Sequence, residues 1–244
     1  MESSSLLLPS YTQIAHDSAM TTDVIAAVLE HPLVVYVVWI LPIAKALLLA
    51  AVIIPLIFNK FGQRFLLGYY GLILLIIGLM QNMSFTVDYG FTWLIGNTLV
   101  QFAVVGFCLA DVLKNKTFIS KQNFIKRRLW IVAPMIFAFL MPYSVNSANI
   151  VYPSFTLSVL FNESGVTYCM ITPVIIGVLL LYSKGVHKPT LSVISYVGFI
   201  FGLLNMMTWF AIRTENWWMG VLHLPLVILS IYGLLVAHNE KSLA

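Results

Sequence analysis

Lys114–Arg128, reading KNKTFISKQNFIKRR, places Lys114, Lys116, Lys121, Lys126, Arg127 and Arg128 together with no acid among them, in a chain where charged residues make up 9%. Lys and Arg in short loops are retained on the cytoplasmic side of a membrane, so a run of this kind orients the apolar segments on either side of it. Those segments dominate the chain: 60% of its 244 residues are hydrophobic, and the mean hydropathy is +0.95. A water-facing surface does not tolerate that composition, and the fold class it implies is an all-α, polytopic integral membrane protein. A net charge of +4 raises nucleic acid as a partner. The cations, however, occupy short gaps between apolar segments and not the exposed face of a soluble fold, which excludes nucleic acid.

A crossing takes roughly 20 apolar residues to cover about 30 Å of hydrocarbon at 1.5 Å per residue. Seven segments meet or approach this length: 33–58, 65–85, 91–113, 129–145, 166–183, 191–212 and 217–237. With seven crossings, Lys60, Arg64, the six cations of the basic run, Lys184, Lys188 and Lys241 share one side. Glu2, Asp17, Asp23, Glu30, Asp88, Glu163 and Glu215 share the other, with Arg213 as its only cation. The expectation is an N-terminus outside and a C-terminus inside, in the cell (plasma) membrane.

The domain organisation follows. Residues 1–31 form an extracytoplasmic segment, with a short interfacial helix from Thr21 or Thr22 to Glu30 that Pro32 ends. Residues 32–238 form the seven-helix transmembrane domain, and 239–244 a cytoplasmic tail. Glu2 stands where a secretory signal needs basic residues, so the first crossing is expected to act as its own insertion signal. Trp130, Trp217, Trp218, Tyr69 and Tyr70 fall near segment ends, where aromatic belts form. The loop NSANIVYPSFTLSVLFNESG (146–165) offers Tyr152, Phe155, Leu160 and Phe161 to the interface as an amphipathic or re-entrant piece.

Polar groups within hydrocarbon are costly, so function is sought there first. Asn97, Gln101, Cys108 and Asp111 recur at spacings of four, seven and three and share one helix face, with Val104 filling the gap. That face reads either as interhelical hydrogen bonding, about 0.6 kcal/mol per contact, or as a pocket lining. Asp111 stands three residues before Lys114, the spacing of an ion pair along a helix. Lys45 also reads two ways. From a helix start at residue 33 it lies about 18 Å deep and wants a counter-ion or an anionic ligand; from a start near Trp39 it lies about 9 Å deep and can snorkel. His223, Asn205, Thr208 and Thr172 fall in the same outer half, beside Pro173, which frees a backbone carbonyl. Lys45, Asn97, Gln101, Thr172, Asn205 and His223 are therefore the candidate ligand-binding residues. Gly198 with Gly202, and Gly71 with Gly78, mark close helix contacts.

Catalytic and metal chemistry find no pattern to stand on. Cys108 and Cys169 both lie in apolar stretches, where thiols behave as small hydrophobes. Of the histidines, His16 and His31 fall outside, His223 within, and His187 and His238 inside. The chain has no H-E-x-x-H, G-x-S-x-G or P-loop motif. No catalytic residue and no metal ligand is assigned, and no cofactor is identified.

The build of seven helices with an outside N-terminus resembles that of the microbial rhodopsins, but their retinal lysine belongs in the last helix and Trp217–Ala237 contains none. It also resembles the small sugar transporters made of two three-helix repeats joined by a fourth helix. Pro42 and Pro173 fall in helices that would correspond; the second and sixth segments lack the matching prolines. No family is assigned. Two functions remain open: a transporter or small-ligand-binding protein that takes a small polar or anionic ligand at the outer polar layer, and a non-catalytic membrane subunit or assembly factor that meets a partner in a larger complex through Lys114–Arg128.

Overall fold

The computed structural model describes residues 39–58, 62–86 and 88–239, together with residues 24, 25, 27, 28 and 33. Residues 24, 25, 27 and 28 are helical. The rest of the interfacial helix expected over 21–30, along with Lys60, Lys241 and the tail beyond Asn239, lies outside the described residues.

An α-helix forms in each of the seven apolar segments: α1 Ile40–Ile57, α2 Gly62–Met80, α3 Ile95–Lys114, α4 Val132–Leu140, α5 Tyr168–Leu181, α6 Lys188–Met207 and α7 Trp217–Asn239. Four helical stretches, Ile40–Ile57, Ile95–Lys114, Lys188–Ile212 and Thr214–Asn239, are long and apolar enough to cross a membrane. Leu157–Gly165 and Tyr168–Leu181, bent by 91°, make a fifth if the pair is one broken span. Within α2 the apolar part, Arg64–Met80, falls short of that length. α4 reaches roughly 25 Å only together with the 3-10 turns of Lys126–Ile131 that lead into it. Pro134 has no N–H to return to Trp130, which accounts for the loss of regular α winding just there.

Three expected helix ends are strands instead, so the fold is helical with two small hairpins and not all-α throughout. Met83–Thr86 (β1) pairs antiparallel with Gly90–Trp93 (β2), taking the end of segment 65–85 and the start of 91–113. Tyr143–Val145 (β3) pairs with Val151–Pro153 (β4), taking the end of segment 129–145. Phe, Thr and Trp favour the first pairing. Gly90, at φ 65°, supplies the left-handed residue that closes a three-residue hairpin loop. The Thr86 hydroxyl locks that turn, accepting from Tyr89 N at 3.1 Å and donating to Gly90 O at 3.1 Å. In the second hairpin Met141, left-handed at φ 47°, ends α4, and Pro142 cannot continue it. Asn146 Oδ1 then accepts from Ala148 N and Ile150 N, both at 2.9 Å, to form the turn.

The bundle is organised around α5, every residue of which is buried. YCMITPVIIGVLLL has no charge and no polar face, so it has no side to turn toward water or a headgroup. α1, α2, α4, α6 and α7 all pack against it, while α1–α2, α2–α3, α3–α6, α6–α7 and α7–α4 are neighbours around it. The remaining gap, between α4 and α1, is filled by the 3-10 turn Glu163–Gly165. Glycines set the closest approaches. A Cβ on Gly198 would lie 2.6 Å from Ser230 Oγ, and Gly233 faces Ser195 in the same manner, so α6 and α7 interlock reciprocally; Gly71 and Gly78 receive α3.

The loops gather at the two ends of this bundle. Arg64 Nε donates to Asn115 Oδ1 at 2.5 Å, and Phe118 N to Gly185 O at 2.6 Å, at one end. At the other, Val151 N donates to Asn216 Oδ1 at 2.8 Å, and Trp218 Nε1 to Pro142 O at 2.9 Å. Both hairpins stand at that second end.

Candidate functional site

Lys45 lies five residues into α1, about 8 Å from Ile40. It is buried, and its ammonium does not reach toward solvent. Nζ donates to Asn162 Oδ1 at 2.7 Å, to Val159 O and to Leu140 O at 3.5 Å, and lies 5.2 Å from the centre of the Phe139 ring. The last carbonyls of a helix lack intrahelical donors and carry partial negative charge. Here three carbonyls at the end of α4 find donors: Phe139 O from Ser164 Oγ at 2.8 Å, Leu140 O from Asn162 Nδ2 at 2.8 Å as well as from Lys45, and Met141 O from Asn162 Nδ2 at 2.9 Å. Lys45 and Asn162 therefore close the bundle between α1 and α4. Gly165 permits it, since a Cβ there would come within 2.5 Å of Lys45 N and 2.8 Å of Ala44 C. Beside this closure the Tyr143 hydroxyl donates to Glu163 Oε1.

The polar face expected on α3 is buried at Gln101, Val104, Cys108 and Asp111, and departs from expectation only at its outer end, where Thr98 takes the place of Asn97. Thr98, Gln101, Val104, Val105, Cys108 and Asp111 are buried, and Asn97 sits half-buried at the edge. Gln101 Oε1 accepts from Asn82 Nδ2 at 3.0 Å, and the same amide reaches Thr98 Oγ1 at 3.3 Å and Gly78 O at 3.2 Å. Thr98 Oγ1 donates to Gly78 O at 2.7 Å and accepts from Trp93 Nε1 at 2.9 Å. This network ties α3 to the end of α2 directly under the first hairpin. Thr172 Oγ1 and Tyr70 Oη are hydrogen-bonded at 3.0 Å in the centre of the bundle. Asn205 Nδ2 donates to Phe201 O at 2.8 Å and lies 3.6 Å from Cys169 Sγ. His223 is buried, with Nδ1 2.6 Å from Met219 O. A carbonyl only accepts, so Nδ1 carries the proton in that bond.

Five of the six candidate residues, Lys45, Gln101, Thr172, Asn205 and His223, are thus distributed over separate contacts with partners of their own, and Asn97 stands half-buried at the edge of α3. Asn82, Thr98 and Asn162 complete those contacts. Asn82 and Asn162 stand in stretches that read from the sequence as a segment end and a loop. No periodicity linked them to Gln101 or Lys45, because their partners lie 19 and 117 residues away.

At the opposite end, the basic run is folded and not slack. Asp111 does not pair with Lys114; its Oδ1 accepts from Thr117 N at 2.8 Å and its Oδ2 from Thr117 Oγ1 at 2.7 Å, and Oδ2 lies 3.7 Å from His187 Nδ1. Thr117 Oγ1 also accepts from His187 N at 3.1 Å. Further along, Ile125 N donates to Leu181 O at 2.9 Å. Arg128 Nη1 donates to Leu180 O at 2.9 Å and to Ser183 Oγ at 2.5 Å, with its guanidinium 5.3 Å from the centre of the Tyr232 ring. Arg128 is buried, whereas Lys114, Lys116, Lys121, Lys126 and Arg127 are exposed. Between this segment and residues 183–187 runs a cleft of 350 Å³ lined by Lys116, Phe118, Asn123, Lys184, Gly185, Val186 and His187. Its His187 imidazole stands 3.4 Å from Lys116 Nζ through Nε2 and 2.9 Å from Thr190 Oγ1 through Nδ1. Partial burial, opposed by Asp111 and reinforced by Lys116, keeps His187 below its ordinary range.

Among the described residues no group of three or more His, Cys, Asp or Glu side chains is arranged to hold a metal ion. No protein-family model matches this chain, and no curated protein and no solved structure matches it either.

Proposed function

We propose that this chain is a seven-crossing membrane protein, with its N-terminus outside and its C-terminus inside, that serves as a non-catalytic membrane subunit. In this reading it docks a partner protein with an acidic surface through Lys114–Arg128. The observation that carries it is the division of labour within the basic run. Asp111, Thr117 and Arg128 pin the segment to α3, α5 and the 183–187 turn, and the pinned backbone presents Lys121, Lys126 and Arg127 to solvent. Orienting the chain needs only the charges and not a fixed shape; a fixed array of exposed cations additionally suits a complementary acidic surface. For α2 and α4, the hairpins and 3-10 turns at their ends supply the length their helices lack.

Orientation is testable by introducing a single cysteine at Gln122 or at Ser147, both exposed and at opposite ends, and labelling intact cells with a membrane-impermeant maleimide. The native Cys108 and Cys169 are buried. Labelling of Ser147→Cys but not of Gln122→Cys is expected; the reverse pattern refutes the orientation. For docking, the combined Lys121→Gln, Lys126→Gln and Arg127→Gln variant is expected to lose a stoichiometric cross-linked partner while keeping its melting temperature. An unchanged complex, or a purified wild type that cross-links to nothing, refutes the subunit reading.

A second reading, transport or binding of a small polar ligand, draws on the buried seam along α5. There Thr172 and Tyr70 adjoin the Tyr168 hydroxyl, and Asn205 reaches Cys169. Under it, Thr172→Val and Asn205→Leu abolish uptake in cells without loss of folded protein. Normal uptake in both variants removes it.

A further inference from the structure

The 350 Å³ cleft between the basic run and the 183–187 turn is a concave site lined by two lysines, an imidazole and an asparagine, with no acid among its lining residues. The nearby carboxylate, Asp111, is buried behind Thr117 and accepts from its N–H and hydroxyl; it also stands 3.7 Å from His187 Nδ1, so its charge acts on the imidazole and it is not itself among the lining residues. The two lysines come from chain segments 68 residues apart, and three features hold those segments together at the cleft. Phe118 N donates to Gly185 O at 2.6 Å. Asn123 Nδ2 donates to Phe118 O at 3.2 Å. Gly185 itself must be glycine, because an added Cβ would run into Phe118 O and the Asn123 amide. α6, 20 residues long, begins at Lys188 directly after His187, so its positive end adds to the field of the cleft. Lys188 does not compete for the site, since its ammonium donates to Ser183 O at 2.9 Å.

Two strongly hydrated point charges lining one cleft, with an imidazole 3.4 Å from one of them, suit a compact multivalent anion more than a planar carboxylate. We propose that this cleft binds a phosphate group, held between Lys116 and Lys184 with His187 at its floor, and supplied either as free phosphate or as the headgroup phosphate of an anionic lipid. The lipid source rests on the reading of this end of the bundle as the inner membrane face, where anionic headgroups lie. The free-ion source does not depend on orientation.

The experiment uses the purified full chain in two arms. In detergent, inorganic phosphate is titrated and followed by calorimetry. In mixed micelles of phosphatidylcholine and phosphatidylglycerol, retained lipid is identified by native mass spectrometry. Each arm compares the wild type with the Lys116→Ala, Lys184→Ala double variant, and with Lys121→Ala, Lys126→Ala as a control of equal charge change outside the cleft. All four lysines are exposed, so folding is expected to be retained. If the cleft variant melts lower, Lys116→Gln, Lys184→Gln replaces it. The expected result is saturable binding weakened about tenfold or more in the cleft variant and less than about twofold in the control. A response in the detergent arm assigns free phosphate, and one confined to the micelle arm assigns a lipid headgroup. Equal losses in both variants would mean diffuse attraction to a basic surface, and that result, or saturable binding in neither arm, overturns the proposal. The cysteine labelling of Gln122 and Ser147 tests orientation separately, so failure of the cleft and failure of the membrane reading are told apart.

Discussion

Replacing Lys45 by methionine keeps the length of the side chain and removes its ammonium. The Asn162 amide still donates to Leu140 O, and Ser164 N still reaches Asn162 Oδ1 at 3.2 Å, so the carbonyl deprived of its donor is Val159 O. A buried acceptor left unpaired costs about 1–3 kcal/mol, and relief of the desolvation of a buried cation returns part of that. The net loss is about 2 kcal/mol, which for a chain of this size lowers the melting temperature by roughly 4–8 °C. The assay is thermal unfolding in detergent of the wild type, Lys45→Met, Asn162→Ala and the double variant. Both residues serve the end of α4, so the two losses are expected to fall short of additivity by about 0.5 kcal/mol or more. Were Lys45 held as an anchor for an anionic ligand and not as the closure between α1 and α4, the Met variant would melt at or above the wild type, and the cycle would be additive. That pair of results would refute the structural role.

Gly165→Ala places a methyl group against the α1 backbone at Ala44 and Lys45, and neither backbone atom can yield as a side-chain tip could; a loss of about 3 kcal/mol is expected in the same melts. Asn82→Ala withdraws the amide that joins Gly78, Thr98 and Gln101. It is expected to cost about 2 kcal/mol and to raise amide exchange in the β1–β2 hairpin above it; unchanged exchange would show that the hairpin stands without this support. His187 is held below its ordinary range chiefly by burial, so the unfolded chain takes up a proton more readily than the folded one near and below a pH of about 6.5. Stability is then present above that pH and is lost on acidification. Melting temperatures are expected to fall from pH 7 to pH 5, with the fall reduced in His187→Gln and with Lys116→Ala moving the His187 titration upward in NMR.

Asparagines show where the reading of the chain stops. Asn162 and Asn82 carry the two polar closures of the bundle, yet an asparagine in a loop or at a segment end is ordinarily read as a turn residue. Asn97, at a helical spacing from Gln101, drew attention that belongs to Thr98, because the four-residue spacing fixes a face only to within a residue's width of the cylinder. Asp111 likewise had a plausible partner three residues on, and its partners are Thr117 and His187. Proximity in sequence suggested an ion pair, whereas a left-handed Asn115 turns the chain back over the end of α3 and brings Thr117 to the carboxylate.

That a helix forms in each of the seven apolar segments was legible in the sequence, because apolar length is a local property; four of those helices, or five if the bent pair is one span, are long and apolar enough to cross a membrane. The close approaches at Gly198 and Gly202 were legible for the same reason: a small side chain leaves space wherever its helix is packed. The tertiary structure alone decided that α5 lies at the centre, that hairpins take the ends of three segments, and that Lys45 closes the gap between α1 and α4. It also decided that Lys116 and Lys184 line one cleft. Each of these depends on which carbonyl, amide or glycine meets the residue from a distant part of the chain. A hydrogen bond spanning 117 residues leaves no mark in the local pattern of either end.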